Sequence, residues 1–461
     1  TRKRTLFPYT TLFRSYGNTL SNNTISNEIQ SGQAGISVSG SHNTINNTSS
    51  AQISGGQFGV ALSGVYNTLS GYAIRDAHTG VYVQGDNNTI ATGNRIYSNL
   101  IGIHVDSAAS GTQVRGNFFG VDDTGNAAMP NYEASIQIDG TNTTIGGSNA
   151  TDGNVISGGS AYGAAGVRIS GGNNATLRYN KIGIGADGTT ALGNLYGIHI
   201  TGGTQSSIQD NTIAFNSYGV LIEQGTQHAI LGNSIHSNTN LGIDLSPKGA
   251  TLNDTGDGDS GPNNLQNFPV ITLAGITGSA TRAVGTLNSL PSKTYTLRFY
   301  SSPACDASGN GEGRTYLGQG SVTTNGSGNA TIDLSVSTAA TQGHYLALTA
   351  ADSAGNTSEF SACYGPLKVL GDTLFTVNTL GDAVDNNLTD GICDSSATAG
   401  VQCTLRAAVQ QANANVGANT IVLPAGTYPL SIAGLDALAA VGDLDITDAL
   451  TLNGAGASTT A

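Results

Sequence analysis

His104, Asp106, Asp139, Arg168 and His199 are the residues of this chain whose types and spacing could move a proton. They fall at two fixed places in a repeated strand. One column reads Ser37, Ala61, Tyr82, His104, Gln137, Arg168, His199, Leu221 and Asp244. Two positions on, a second reads Ser39, Ser63, Gln84, Asp106, Asp139, Ser170, Thr201, Glu223 and Ser246. If successive repeats stack about 4.8 Å apart, Asp106 and Asp139 approach the separation at which two carboxylates cleave a glycosidic bond. Alternatively, the pair could hold a Ca²⁺ that acidifies a uronate while a basic neighbour removes its proton. Arginine is a poor base, because its guanidinium keeps its proton. An outward strand face is normally polar. The same columns therefore also read as a row contacting polysaccharide through Tyr82, Gln84, Gln137 and Glu223, or as solvated surface.

What must position these residues is a short unit, clearest at 80–106: GVYVQGDNNTIATGNRIYSNLIGIHVD. Each apolar-x-apolar triplet alternates with period two between Asn and Gly, the pattern of a short strand. Aligning the units on Ile36, Val60, Val81, Ile103, Ile136, Val167, Ile198, Val220 and Ile243 gives gaps of 24, 21, 22, 33, 31, 31, 22 and 23. A repeat of about 22 residues with three strands per turn predicts a solenoid. Its Asn corners tolerate the left-handed conformation and can stack into ladders, while Ile, Val and Leu fill the bore. The Leu-x-x-Leu-x-Leu spacing of a leucine-rich repeat is absent. The long gaps hold insertions, two of which are copies: NFFGVDDTGNAAMPN at 117–131 and NKIGIGADGTTALGN at 180–194. These should project from one flank as wings. Asp122, Asp123 and Asp187 within them read as solvated turn carboxylates.

Composition narrows the classes. With 65 Gly and few charges among 461 residues, the chain is predicted to be all-β. Thirty acidic against 17 basic residues, net −13, repel phosphate backbones and anionic lipid. No apolar run is long enough to span a membrane. Residues 1–15, TRKRTLFPYTTLFRS, lack the repeat and resemble translated sequencing-adaptor sequence, so they are expected to be non-native. The chain has no initiator Met and is expected to be a fragment.

The solenoid is expected over 16–250. An acidic stretch at 251–267 carries Asp254, Asp257 and Asp259 with Gly between them. It reads either as a Ca²⁺ loop, though without EF-hand spacing, or as a flexible linker. From 268 to 366, seven alternating segments (VITLA, AVGTL, YTLRFYS, TYLGQGSVTT, ATIDLSV, YLALTAAD and SEFS) predict an immunoglobulin-like sandwich. YLALTAAD is expected at its centre. Cys305 and Cys363 lie within it, and a disulfide between them would contribute about 4 kcal/mol. Over 367–461, Thr404 is a candidate N-cap, and Leu405, Ala408, Val409 and Ala412 form a helical stripe. Short strands are predicted at 420–423, 427–430, 444–447 and 450–452.

The solenoid resembles right-handed parallel β-helices of the pectin-lyase type. That group's hydrolase signatures, an Asn-Thr-Asp strand and a Gly-His-Gly turn, are absent. The run Cys403-Thr404-Leu405-Arg406-Ala407-Ala408, preceded by Cys393 and followed by IVLPAGTY at 421–428, resembles the CSLREA domain of large bacterial β-helix proteins. Ala407 stands where that name carries Glu. The resemblance covers nearly the whole chain after residue 15. It implies a secreted or surface-displayed, multi-module bacterial protein with no established activity. It also implies that the helix plugs the end of a second, truncated β-helix, pinned by a Cys393–Cys403 bridge. Three readings of function follow. One is a non-catalytic extracellular module for adhesion, spacing or contact with a polysaccharide or cell-surface glycan. Another is a polysaccharide lyase or glycoside hydrolase working along the outer columns, and the third is a chemically indifferent stalk. The only cofactor expected is Ca²⁺.

Overall fold

Strands in the first half of the chain are two to five residues long. None can bury a face alone, so stability must come from stacking one repeat on the next. The computed structural model describes residues 11–13, 17–21, 25–26, 34–48, 51–159, 164–369, 373–388, 391–396, 402–415, 417 and 419–456. Among these, the repeats wind into three parallel sheets of ten, nine and nine strands, each strand pairing with its counterpart one coil away. The register follows the repeat: Val60 pairs with Val81, Val81 with Ile103, Ile103 with Ile136, and so on to Ile243. The residues flanking each x position are sealed in the bore, from Ile36 and Val38 to Ile243 and Leu245. The chain carries a right-handed parallel β-helix.

Thr11–Phe13, in the segment expected to stand apart, pairs with Ile36–Val38 as the outer strand of the first sheet. Residues 1–10 and 14–16 lie outside the described part. Both wings leave the helix as small hairpins, bridged at Val121–Ala128 and Ile184–Ala191. They also touch each other, through Ala186 N donating to Gly125 O and Asp187 N to Asn126 Oδ1.

The corners are held by buried asparagines. At Asn180, the backbone N and Nδ2 both donate to Asn211 Oδ1 at 2.9 Å, and Nδ2 also reaches Ile145 O and Arg178 O. The same pattern runs from Asn94 through Asn117, Asn154, Asn180 and Asn211 to Asn233. A second row runs through Asn194, Asn216 and Asn238, and its end is decisive. There, Glu312 Oε1 takes the place of the next amide oxygen, accepting from Asn238 N at 3.1 Å and Nδ2 at 2.9 Å.

Glu312 belongs to the region predicted as a sandwich. This region forms two three-stranded sheets, Val270–Thr277, Ala280–Asn288 and Asn329–Val336 in one, Thr315–Thr323, Thr294–Ser302 and Tyr345–Ala351 in the other. Thr294–Ser302, not Tyr345–Ala351, is central in the second sheet. Tyr295, Leu297 and Phe299 share its buried face. The SEFS segment runs beside Tyr345–Ala351 without becoming a regular strand, because Ser358 and Ser361 hydroxyls accept from Ala350 N and Leu348 N. Tyr300, Ala347 and Phe360 extend the solenoid's own core. Ile235 exchanges two backbone hydrogen bonds with Gly313, and Glu359 accepts from Leu245 N and Thr251 N. Cys305 and Cys363 are bridged, with Cα atoms 5.8 Å apart.

In a second compact unit, Leu374–Thr376, Asn419–Leu423 and Leu450–Gly454 make a parallel sheet. The helix Leu405–Ala414 joins the first two of these strands and buries Ala408, Val409 and Ala412. Thr404 Oγ1 caps it by accepting from Ala407 N. Cys393 is bridged to Cys403. Arg406 is wholly buried, paired with Asp382 through Nε and Nη2 and donating to the carbonyls of Ala439, Gly442 and Asp443. The strands predicted at 427–430 and 444–447 do not form. In the second stretch Asn413 takes the backbone groups instead, bonding Asp445 O and Thr447 N, and just past the first Asp382 accepts from Ile432 N.

Glu312 and Glu359 are buried among backbone donors, and desolvation pushes each carboxyl up to about 7. Nearby Asp306 and Asp244 push in the same direction. Each folded acid thus holds its proton more tightly than the unfolded one. The stability this contributes is full below the unfolded value of 4.5 and is lost as pH rises through about 7. Denaturant midpoints are expected to fall between about pH 5 and pH 8. Glu312→Gln with Glu359→Gln should flatten that fall, by up to about 3 kcal/mol per site.

Candidate functional site

The first sheet's outer face places the two predicted columns in register. Ala61 pairs with Tyr82, Tyr82 with His104, His104 with Gln137, Gln137 with Arg168, and Arg168 with His199. Side chains on the row do not converge on one centre. They resolve into separate pairs.

Tyr82 OH donates to Asp106 Oδ2 at 2.7 Å, and Asp106 also accepts from Ala108 N. Burial first, then the Asp106 carboxylate, pushes the Tyr82 phenol up to about 12. His104 Nε2 lies 2.7 Å from Asp139 Oδ2, which accepts a second bond from Gln137 Nε2 at 3.1 Å. The His104 bond is the main reason the Asp139 carboxyl sits below its ordinary range. Arg168 pairs with Glu133, at 2.7 Å, and forms no ion pair with either aspartate. Further along, His199 Nε2 is 3.3 Å from Glu223 Oε1, without the angle of a hydrogen bond. Desolvation lowers the His199 pKa. Gln84 stands exposed between these groups.

The last part of the row is not open to solvent. Leu221 and Asp244 are fully buried, and Gly249 N donates to Asp244 Oδ2. Burial keeps the Asp244 carboxyl above its ordinary range. In the same loop, Lys248 Nζ lies over the rings of Tyr196 and Tyr218 at 5.1 and 5.0 Å and donates to Tyr196 OH.

Aromatic residues missed by the column reading complete the face. Phe58 stacks on Tyr82 with centroids 4.6 Å apart, Tyr82 meets His104 edge-on, and Tyr196 stacks on His199 at 4.3 Å. Strict alternation would not put Phe58, Tyr196 and Tyr218 on this side. Each precedes a Gly at the strand's entry, where the chain bends. A Cβ at Gly59 would meet Gly80 O at 2.6 Å and Ile74 Cγ2 at 2.7 Å. The parity slips there, and an aromatic-Gly pair opening a repeat was the signal available. Lys248 follows the last repeat and carried no periodic signal.

Asp254, Asp257 and Asp259 come together, each offering an oxygen within 4.8 Å of the others. Asp257 is buried, accepting from Asn267 N and from the Ser289 hydroxyl. Asp254 accepts from Gly258 N through Oδ2, while its Oδ1 is shielded and unpaired. Burial foremost raises the carboxyls of Asp257 and Asp259. Asp122 and Asp187 organise the wing turns: each accepts backbone N–H groups from its own loop and lies below its ordinary range.

Residues 12–125 match the family model described as a right-handed β-helix region, and residues 121–259 match that described as periplasmic copper-binding protein (NosD). No curated protein sequence matches the chain. Among solved structures, a tailspike mutant of the E. coli bacteriophage HK620 in complex with a pentasaccharide is 12% identical, covers 77% of this chain and 67% of its own, and has a TM-score of 0.38. A double mutant of the same tailspike, also with a pentasaccharide, gives the same identity and coverage with a TM-score of 0.36. The residues present do not fit a copper centre. His199, His228 and His236, the histidines of the matched stretch, stand at three different sheets. Among the described residues, the one group of three or more possible ligands is the aspartate trio, whose hard oxygens suit other cations.

Proposed function

We propose that this protein is a non-catalytic, extracytoplasmic module that contacts glycans along the outer face of its first sheet. The observation that carries this reading is the row Phe58–Tyr82–His104, in which one stacked and one edge-on ring pair are flanked by carboxylates already committed to hydrogen bonds. Aromatic faces and fixed polar edges suit sugar rings, which present apolar C–H faces and hydroxyl rims. A glycosidase or lyase instead needs two groups with pKa values pushed apart, one of them held as an acid. Here, Asp139 is drawn down by His104, and Arg168 is occupied by Glu133. Two disulfides fit an oxidising compartment, extracellular or periplasmic. No helix among the described residues is long and apolar enough to cross a membrane. The alternative is a polysaccharide lyase or glycoside hydrolase on the same face. A panel of acidic and neutral polysaccharides, tested for binding and for released reducing ends or unsaturated product, separates the two. Binding weakened about tenfold by Tyr82→Ala, without product, is expected. Product that disappears in Asp139→Ala would overturn the reading.

A structural Ca²⁺ on Asp254, Asp257 and Asp259 belongs to this reading. Support comes from the shielded, unpaired Oδ1 of Asp254 and from the cost of burying neighbouring carboxylates without a cation. Ca²⁺ is expected to raise the unfolding midpoint of the wild-type chain and leave Asp254→Asn unchanged. An equal response of both proteins would remove the site.

A further inference from the structure

A cleft of about 520 Å³ opens where the second sheet turns into the third, away from the aromatic row. Its floor is Gly71, Gly93 and Gly116 on three successive coils, all with positive φ. A Cβ at Gly71 would meet Asn47 O at 1.9 Å, and one at Gly116 would meet Thr92 Oγ1 at 2.7 Å, so bare backbone is obligatory there. At coil spacing the floor is about 10 Å long. Phe118 and Arg95 rise from the third sheet along one wall, and Asp123 leans in from the first wing.

Arg95 differs from three of the four other arginines at 16–250, the exposed Arg115 being the one that likewise has no carboxylate at hydrogen-bond distance among the described residues. Arg75, Arg168 and Arg178 are each held by a carboxylate at 2.6, 2.7 and 3.1 Å. Arg95 Nη1 stands 3.8 Å from Asp123 Oδ2, too far for a hydrogen bond. The Arg95 side chain is mostly shielded, 27% exposed, while that of Asp123 is 74% exposed. The cleft therefore presents a donor fork, an acceptor and an apolar ring, with no net charge.

We propose that this cleft binds a neutral pyranose unit of an oligosaccharide. Hydroxyl oxygens accept from Arg95, hydroxyl protons go to Asp123, and the C–H face of the ring lies on Phe118. Asp123 disfavours a uronate, and Arg95 disfavours an amino sugar. The bare glycine floor gives room for a second ring. This site does not rest on the sheet-face reading, since it shares no residue with the aromatic row.

The test is saturation-transfer NMR with cellobiose, maltose, lactose and mannobiose on the full chain and on Asp123→Ala, Arg95→Gln and Tyr82→Ala. At least one disaccharide should bind at millimolar concentration. Its affinity should fall about tenfold or more in both Asp123→Ala and Arg95→Gln. Asp123 is exposed, so its variant retains the fold, to be verified by its thermal transition. Absence of transfer from all four sugars, or transfer that survives both cleft variants, would overturn the proposal. Transfer lost only in Tyr82→Ala would overturn it too, while supporting the other face.

Discussion

A buried amide at the corner of a coil must find partners for two donors and one oxygen, and in this protein the neighbouring coil supplies them. Asn154, Asn180 and Asn211 each take a backbone N–H and a side-chain N–H from the coil before, and donate to the amide oxygen of the coil after and to a carbonyl of the coil before. An unpaired buried polar group costs about 1–3 kcal/mol. Such a row therefore cannot simply stop inside the protein. Glu312 ends one row and Glu359 receives the last strand's Leu245 N–H, both from the small-sheet region. That region is in this sense the solenoid's final layer, sharing its core through Tyr300 and Phe360. It also protects edge strands that would otherwise invite pairing.

The coil register was legible because a parallel β-helix writes its inward residues at a fixed offset from each Gly. The spacing that aligned Val81 with Ile103 also aligned the outer row from Tyr82 to His199. What the pattern could not carry is the partner each outward side chain chooses. Arg168 has carboxylates ahead of it in the column yet pairs with Glu133, which lies before the strand. Nor could alternation find Phe58 and Tyr196, because the bend at Gly59 and Gly197 reverses parity at the strand entry. Leu221 and Asp244 read as outward residues and are buried, since cover from a segment beyond the last repeat leaves no periodic trace. Glu312 and Glu359 were the least legible of all. Their role depends on contacts 74 and 114 residues away in sequence.

A rigid solenoid makes its surface a fixed ruler. Rings and polar groups are held at coil spacing by backbone ladders rather than by their own side-chain packing, so the proposed extended ligand would need little ordering of them. Two surfaces of this kind emerge. The first sheet carries aromatic and carboxylate pairs along a flat row, and the second-to-third corner carries a cleft hollowed by glycines. The three aspartates at 254–259 and the buried carboxylates at Glu312 and Glu359 belong instead to the join between the last coil and the sheets that follow it.

Amide hydrogen exchange most directly tests whether the small sheets terminate the solenoid. In the wild-type chain, the amides of Asn238 and Leu245 are predicted to exchange as slowly as those of Val81 and Ile103 in the middle of the helix. Glu312→Ala with Glu359→Ala should release the 233–250 segment selectively and leave the middle coils protected. Rapid exchange of that segment in the wild type, or no change in the double variant, would contradict the account: the rows would then end without the small sheets' help.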